Sequence, residues 1–407
     1  MQGVVLHRGK KGITVFLLVL LLLISCLPVS SKAKDVEEKQ KASMTDALTL
    51  TAESAVLLEP YTGTVLYEKE KDKVLKPASV TKIMTLLLIM EAMQNKQFTY
   101  DDTVTVSAHA ASMGGSQVFL EEGETQTVKD MLKCIVVSSA NDACVAMAEY
   151  VAGSEEAFVD HMNKRAEALG MKHTHFVNAC GLDAKGHVTT AYDIALMARE
   201  LTVKHPEIFE FTTIWMDTIT HKTAKGTKEF GLSNTNKLIR HYEGATGLKT
   251  GSTSEAKFCL CATASRKGLD LISVVMACPD SKARQKDAAA LLDYGFGSCR
   301  LYKDELPLAK TVRIPVSAGK KKTVAAEGKE PFYYVLSNGK EHTIRKKVTC
   351  KKQVSAPVKK GTKVGMVSYY DGKKKIGESS IIATQTVKPW NYWDCLKQVT
   401  TGYMLTR

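Results

Sequence analysis

The chain has 407 residues, 44% of them hydrophobic, and a formal net charge of +13. This composition can bury a core, excludes a disordered, collagenous or low-complexity protein, and at this length favours two domains. Its ten cysteines and ten histidines contain no Cys-x-x-Cys pair and no His-Glu-x-x-His string, so neither a metal nor another cofactor is expected.

Residues 1–33 place His7, Arg8, Lys10 and Lys11 before an apolar run at 13–27 and a short stretch, Pro28-Val29-Ser30-Ser31-Lys32-Ala33, that offers a cleavage site. That is the layout of a signal peptide, and the run is short for a membrane span, so export is expected. Cys26, in Leu23-Ile24-Ser25-Cys26, offers lipoprotein anchoring as a second route. Disulfides are common in exported proteins, yet Cys134, Cys144, Cys259, Cys261 and Cys278 fall inside apolar segments, where cysteine acts as a small hydrophobe.

A polar leader at 34–50 precedes two strand-like runs, 54–58 and 64–69, joined by Pro60-Tyr61-Thr62-Gly63 as a hairpin. Pro77-Ala78-Ser79-Val80-Thr81-Lys82 then opens a helix with apolar residues at 83, 86, 87, 90 and 93. Ser79 and Lys82 share one helix face, an arrangement that sets a nucleophile beside its base. Ser-x-x-Lys occurs five times, at Ser31, Ser79, Ser254, Ser317 and Ser337. Only the copy at Ser79 precedes a buried helix face, and a lysine with a reference pKa of about 10.4 needs burial or a neighbouring cation to act as a base near neutrality. Alone, the motif equally fits a serine capping a core helix.

A strand at 103–106 and a loop containing Met113-Gly114-Gly115-Ser116 follow. Helical periodicity at 128–151 is interrupted by Ser138-Ser139-Ala140-Asn141-Asp142, a break suited to presenting polar side chains to a cleft. Helices are expected at 154–170 and 190–203, with an irregular loop at 176–187 in which His187 reads as a structural hydrogen-bonder rather than a general base. Residues 234–254 lead into strands at 257–264 and 269–277, then a helix from about 283 to 294. Beyond Cys299 come short strands at 311–316, 332–336, 343–349, 363–370 and 376–383, with hairpin signals at Asn338-Gly339 and Asp371-Gly372. Residues 300–390 hold 21 Lys/Arg against 7 Asp/Glu, a balance of +14. Such a surface suits an anionic wall polymer or a membrane surface, or else is a solvated, lysine-dotted β surface; no nucleic-acid partner is expected of an exported chain. The tail at 389–407, with Trp390 and Trp393, fits a membrane-interface segment or a helix docked on the β domain.

Three motifs stand in order: Ser79-Val80-Thr81-Lys82, Ser139-Ala140-Asn141 and Lys249-Thr250-Gly251, the last two each occurring once. Together with Asn178-Ala179-Cys180-Gly181-Leu182-Asp183 and Gly247-Leu248, they resemble the serine-type D-alanyl-D-alanine carboxypeptidases, the low-molecular-mass penicillin-binding proteins. The resemblance implies an α/β (α+β) fold. A DD-peptidase/β-lactamase-like domain at 34–300 would have a central antiparallel sheet flanked by helices, with a C-terminal all-β domain, a basic sandwich, at 301–388. It implies Ser79 as nucleophile, Lys82 as its base and Ser139 as proton relay to the leaving amine. Asn141, Lys249, Thr250, Gly251 and Ser252 would bind substrate, with the Lys249 charge lowering the pKa of Lys82. The substrate would be the peptidoglycan stem pentapeptide, β-lactams would acylate the same serine, and the enzyme would work on the extracytoplasmic face of a bacterial membrane or wall. Two departures stand out: Cys180 where members often carry histidine, and Asp270 where several carry arginine, which leaves the substrate-binding arginine unassigned. The rivals are a class A-like β-lactamase, whose usual Glu-x-x-Leu-Asn string is absent here, and a non-catalytic wall-binding protein.

Overall fold

The computed structural model describes residues 48–404 except 225 and 309, so the signal-peptide and Cys26 readings lie outside the described residues. Residues 48–50 end a separate N-terminal unit, and the fold below belongs to the unit beginning at Thr51.

The expected first hairpin is β1 (Ser54–Glu59) and β2 (Thr64–Lys69). A 3-10 turn over Ala78–Thr81 leads into α1 (Lys82–Gln94), and β3 (Thr103–Thr105) pairs with β4 (Thr125–Thr127). The periodic stretch divides at its polar break into α2 (Val128–Val137) and α3 (Asn141–Ala152). Next are α4 (Glu155–Ala168) and α5 (Ala191–Lys204), each capped by a hydroxyl accepting a backbone N–H: Ser154 from Ala157 and Thr190 from Asp193. A second hairpin, β5 (Met216–Thr223) and β6 (Gly226–Ser233), was not foreseen. The chain then runs through β7 (Ala245–Thr253), β8 (Lys257–Arg266), β9 (Leu269–Cys278) and α6 (Ser281–Ser298).

The central sheet is antiparallel, in the order β2-β1-β9-β8-β7. Strand alternation sends Leu57 and Leu271 against Gly295 of α6, while Val56, Leu58, Ile272, Val274 and Met276 join the core shared with the helices. The connector expected before residue 257 is thus largely β7, an edge strand of the central sheet. The amphipathic face expected of α1 is also corrected: the helix is buried nearly all round, Lys82 included.

The next strand, β10 (Cys299–Asp304), pairs with a later one, so the expected boundary at residue 300 falls inside a strand. It is followed by β11 (Val312–Ser317), β12 (Thr323–Gly328), β13 (Phe332–Ser337), β14 (Ile344–Cys350), β15 (Val354–Ser355), β16 (Lys363–Asp371), β17 (Lys374–Ala383) and α7 (Tyr392–Met404). The larger sheet runs β14-β16-β17-β12-β11-β15, and the β10–β13 ribbon packs on it through Phe332, stacked 3.8 Å over Tyr369. Asp371-Gly372 does turn the β16–β17 hairpin. Asn338-Gly339 joins no hairpin: β13 pairs with β10 and β14 with β16, so the strands flanking the turn separate. Tyr61, in the β1–β2 turn, stacks 4.7 Å from Tyr333 and links the two parts.

Candidate active site

The cleft is assembled from the 3-10 turn, the start of α1, the α2–α3 break, the loop at 178–183 and β7. Ser79 lies in the turn, after Ala78 at φ 48. One turn on, Lys82 is fully buried, and its Nζ has three oxygen neighbours: Ser79 Oγ at 3.0 Å, Asn141 Oδ1 at 2.6 Å and the Cys180 carbonyl at 2.7 Å. A neutral amine has two N–H groups and one lone pair. As an ammonium, Nζ donates to all three oxygens; as a neutral amine it keeps two donors for Asn141 Oδ1 and the Cys180 carbonyl and has its lone pair free to take the Ser79 hydroxyl proton. Burial pushes the Lys82 pKa below the ordinary lysine range, which favours that form.

Asn141 is fixed in turn. Its Nδ2 donates to the Gly114 carbonyl at 2.7 Å and its backbone N–H to the Ser116 carbonyl at 2.7 Å. The buried Asp142 carboxylate accepts the N–H groups of Val118 and Leu120, each at 3.1 Å. Ser139, two residues earlier, is buried and held at φ 60. In the loop at 178–183, Asn178 Oδ1 accepts the N–H groups of Gly181 at 2.7 Å and Leu182 at 3.2 Å, while Glu155 accepts the Ala179 N–H at 2.9 Å. Gly181, at φ +90, touches the nucleophile's turn: a β-carbon there would stand 1.9 Å from the Ala78 carbonyl oxygen. Gly251 is confined as well, though less severely, since a β-carbon would come 2.9 Å from the Pro77 carbonyl oxygen.

On β7, Lys249 is buried and Thr250 shares a 2.6 Å hydrogen bond with Thr235, while Ser252 is exposed. Burial lowers the Lys249 pKa, reinforced by the charges of Lys82 and Arg284. Burial is the leading cause at both lysines, and the repulsion between their charges acts on each of them.

Arg284 was missed by sequence reasoning. Projecting from the first turn of α6, it is buried and donates from Nη1 to the carbonyls of Gly251 at 2.9 Å and Cys259 at 3.3 Å, clamping β7 to β8. Its Nε has no partner. A lone arginine after an Asp cap carries no local signal of such a role. Asp270, the other departure, lies away from the cleft, hydrogen-bonded to Tyr61. His187 bears out its structural reading: Nδ1 accepts the Val177 N–H at 2.9 Å, so Nε2 carries the proton and donates to Thr81 Oγ1 at 2.8 Å. Among the described residues nine cysteines are free, and no group of three or more His, Cys, Asp or Glu side chains gathers as a metal site. Burial pushes the Cys180 thiol up, so it is neutral beside Lys82.

A serine beside a buried lysine whose pKa burial lowers, an amide fixing that lysine and a glycine-thinned edge strand form an arrangement suited to acyl transfer. Residues 39–280 match the D-alanyl-D-alanine carboxypeptidase family, and residues 301–389 match the penicillin-binding protein 5 C-terminal domain. The D-alanyl-D-alanine carboxypeptidase DacF of Bacillus subtilis is 42% identical, over 88% of this chain and 92% of its own. DacD of Escherichia coli is 32% identical, over 83% and 87%. Among solved structures, penicillin-binding protein 5 of Haemophilus influenzae superposes with a TM-score of 0.70 at 28% identity, over 84% of this chain and 98% of that one. Motifs, cleft and both matched segments agree, and the chain belongs to the serine D-alanyl-D-alanine carboxypeptidases of the penicillin-binding protein 5 type.

Proposed function

We propose that Ser79 carries the acyl group when this DD-carboxypeptidase removes the terminal D-alanine of a peptidoglycan stem pentapeptide. The observation that carries the assignment is the three-oxygen surround of Lys82 Nζ, in which only a neutral amine leaves its lone pair to the Ser79 hydroxyl. Lys82 takes the Ser79 proton as Oγ bonds to the scissile carbonyl. The backbone N–H groups of Ser79 and Ser252 face the oxygen on which charge develops. Ser139 passes a proton to the departing amine as the C–N bond breaks, and water then cleaves the ester and restores Ser79. Asn141 positions Lys82, Lys249 and Thr250 attract the substrate carboxylate, and Gly251 lets β7 approach the nucleophile's turn closely. The same serine is the one a β-lactam would acylate. D-Alanine release from a pentapeptide and labelling by fluorescent penicillin test this together: Ser79→Ala should lose both, and a variant that still releases D-alanine would overturn the assignment.

The basic β domain and α7 are proposed to rest on an anionic membrane or wall surface outside the cell, the N-terminal segment having directed export. The charge excess supports this, as does α7, which keeps Tyr392, Trp393, Leu396 and Val399 exposed on one side. Among the described residues no helix is long and apolar enough to cross a membrane. Binding to anionic vesicles that weakens with salt would support the reading, and equal binding to neutral vesicles would refute the electrostatic part.

A further inference from the structure

A second cavity, of about 410 Å³, lies between the β5–β6 hairpin and the segment preceding β4, and acyl transfer does not use it. Its walls include Phe119, Phe230 and His221, with Thr227 and Lys228 at the rim. Phe119 is 65% exposed, although it stands at φ 61, a conformation that a bulky side chain adopts only when its surroundings impose it. The surroundings do so here, because the N–H groups on either side of it, those of Val118 and Leu120, are both held by Asp142. Its ring meets Phe230 at 6.0 Å and 69°, and His221 meets Phe230 at 5.6 Å and 82°.

Buried polar groups hold the aromatic walls in place. His221 Nδ1 lies 2.8 Å from Glu124 Oε1, to which Gln126 Nε2 also donates, at 2.7 Å; the same amide donates to the Thr220 carbonyl at 2.9 Å. β4 and the segment before it are thereby tied to the β5–β6 hairpin, and the cavity is built rather than incidental. An aromatic face kept in water by this scaffold, with polar groups at its edge, suits a sugar ring: C–H faces pack on the rings, while hydroxyl and acetamide groups reach the rim.

The segment that bears Phe119 is also tied to the active site: the Ser116 carbonyl accepts the N–H of Asn141, the residue that holds Lys82, and Asp142 beside it holds the N–H groups on either side of Phe119. A stem peptide whose scissile carbonyl lies at Ser79 runs back from that site to its N terminus. That terminus bears the glycan sugar.

We propose that this cavity is a subsite for the amino sugar to which the stem peptide is attached, so that the enzyme prefers glycan-linked pentapeptide to free peptide. The proposal rests on the carboxypeptidase reading, and the test separates the two. D-Alanine release by the full chain would be followed with a sugar-free pentapeptide and with a disaccharide-pentapeptide. The KM for the disaccharide substrate should be lower by about tenfold, on the scale of one well-packed aromatic contact. Phe119→Ala, and separately the volume-keeping Phe230→Leu, should raise that KM about fivefold at unchanged kcat and leave the sugar-free constants unaltered. Equal KM values in the unmodified enzyme, or variants that shift both substrates alike, would overturn the subsite. Hydrolysis of neither substrate would instead overturn the carboxypeptidase reading.

Discussion

Asn141 Oδ1 stands 2.6 Å from Lys82 Nζ, and this contact commits one of the amine's two hydrogens before substrate arrives. The Cys180 carbonyl commits the other. Protonated Lys82 would turn a third hydrogen toward Ser79 Oγ and could not accept its proton. The acid limb of kcat/KM should therefore rise as pH rises through the Lys82 pKa, which burial has moved below the ordinary lysine value. Asn141→Asp places a negative charge beside the amine and should move that limb to higher pH, measurable as a displaced pH–rate profile. Lys82→Arg, which cannot deprotonate in this range, should lower kcat by about 10² or more.

Gly181→Ala tests the contact between the loop at 178–183 and the nucleophile's turn. Its new methyl group would overlap the Ala78 carbonyl oxygen on a backbone already at φ +90. A loss of about 2–4 kcal/mol in stability is expected, with slower penicillin acylation. Gly123, at φ +78 with open space around it, supplies the control. Gly123→Ala carries the backbone strain without the collision, so it should cost only about 1 kcal/mol and leave acylation unchanged.

Arg284→Leu removes the donor shared by the Gly251 and Cys259 carbonyls. Because those oxygens lose a partner in a buried setting, unfolding should become easier by about 1–3 kcal/mol. The partnerless Nε contributes no lost hydrogen bond. With the neighbouring positive charge gone, the Lys249 pKa should rise toward its usual range. Denaturant midpoints read the first effect, and the pH dependence of substrate binding reads the second.

His187 should make the fold acid-sensitive. Burial lowers its pKa to about 4, against an unperturbed 6.5, so between these values the unfolded chain binds the extra proton. Stability is therefore lost as pH falls from about 6.5, the loss being complete below about 4 and amounting to roughly 3 kcal/mol. His187→Gln should be less stable at pH 7 by about 1 kcal/mol yet show a flatter decline toward pH 4. A decline as steep as that of the unmodified protein would show that other groups govern acid unfolding.

What the sequence determined by itself was local. Hydroxyl caps at Ser154 and Thr190, the polar break between α2 and α3, the Asp371-Gly372 turn and the order of the three motifs are written within a few neighbouring residues. Tertiary structure decided what depends on partners distant in the chain. Asn338-Gly339 has good hairpin chemistry but no hairpin, because its flanking strands find better neighbours elsewhere. Residues 245–253 become a strand because β8 offers them a ladder. The pairing of Ser79 with Lys82 was visible in the spacing, whereas the carbonyl of Cys180 as Lys82's third neighbour, and Arg284 as the clamp behind Gly251, were not. A backbone oxygen leaves no mark on residue identity, and a buried guanidinium is useful only where two strands and a helix have already met.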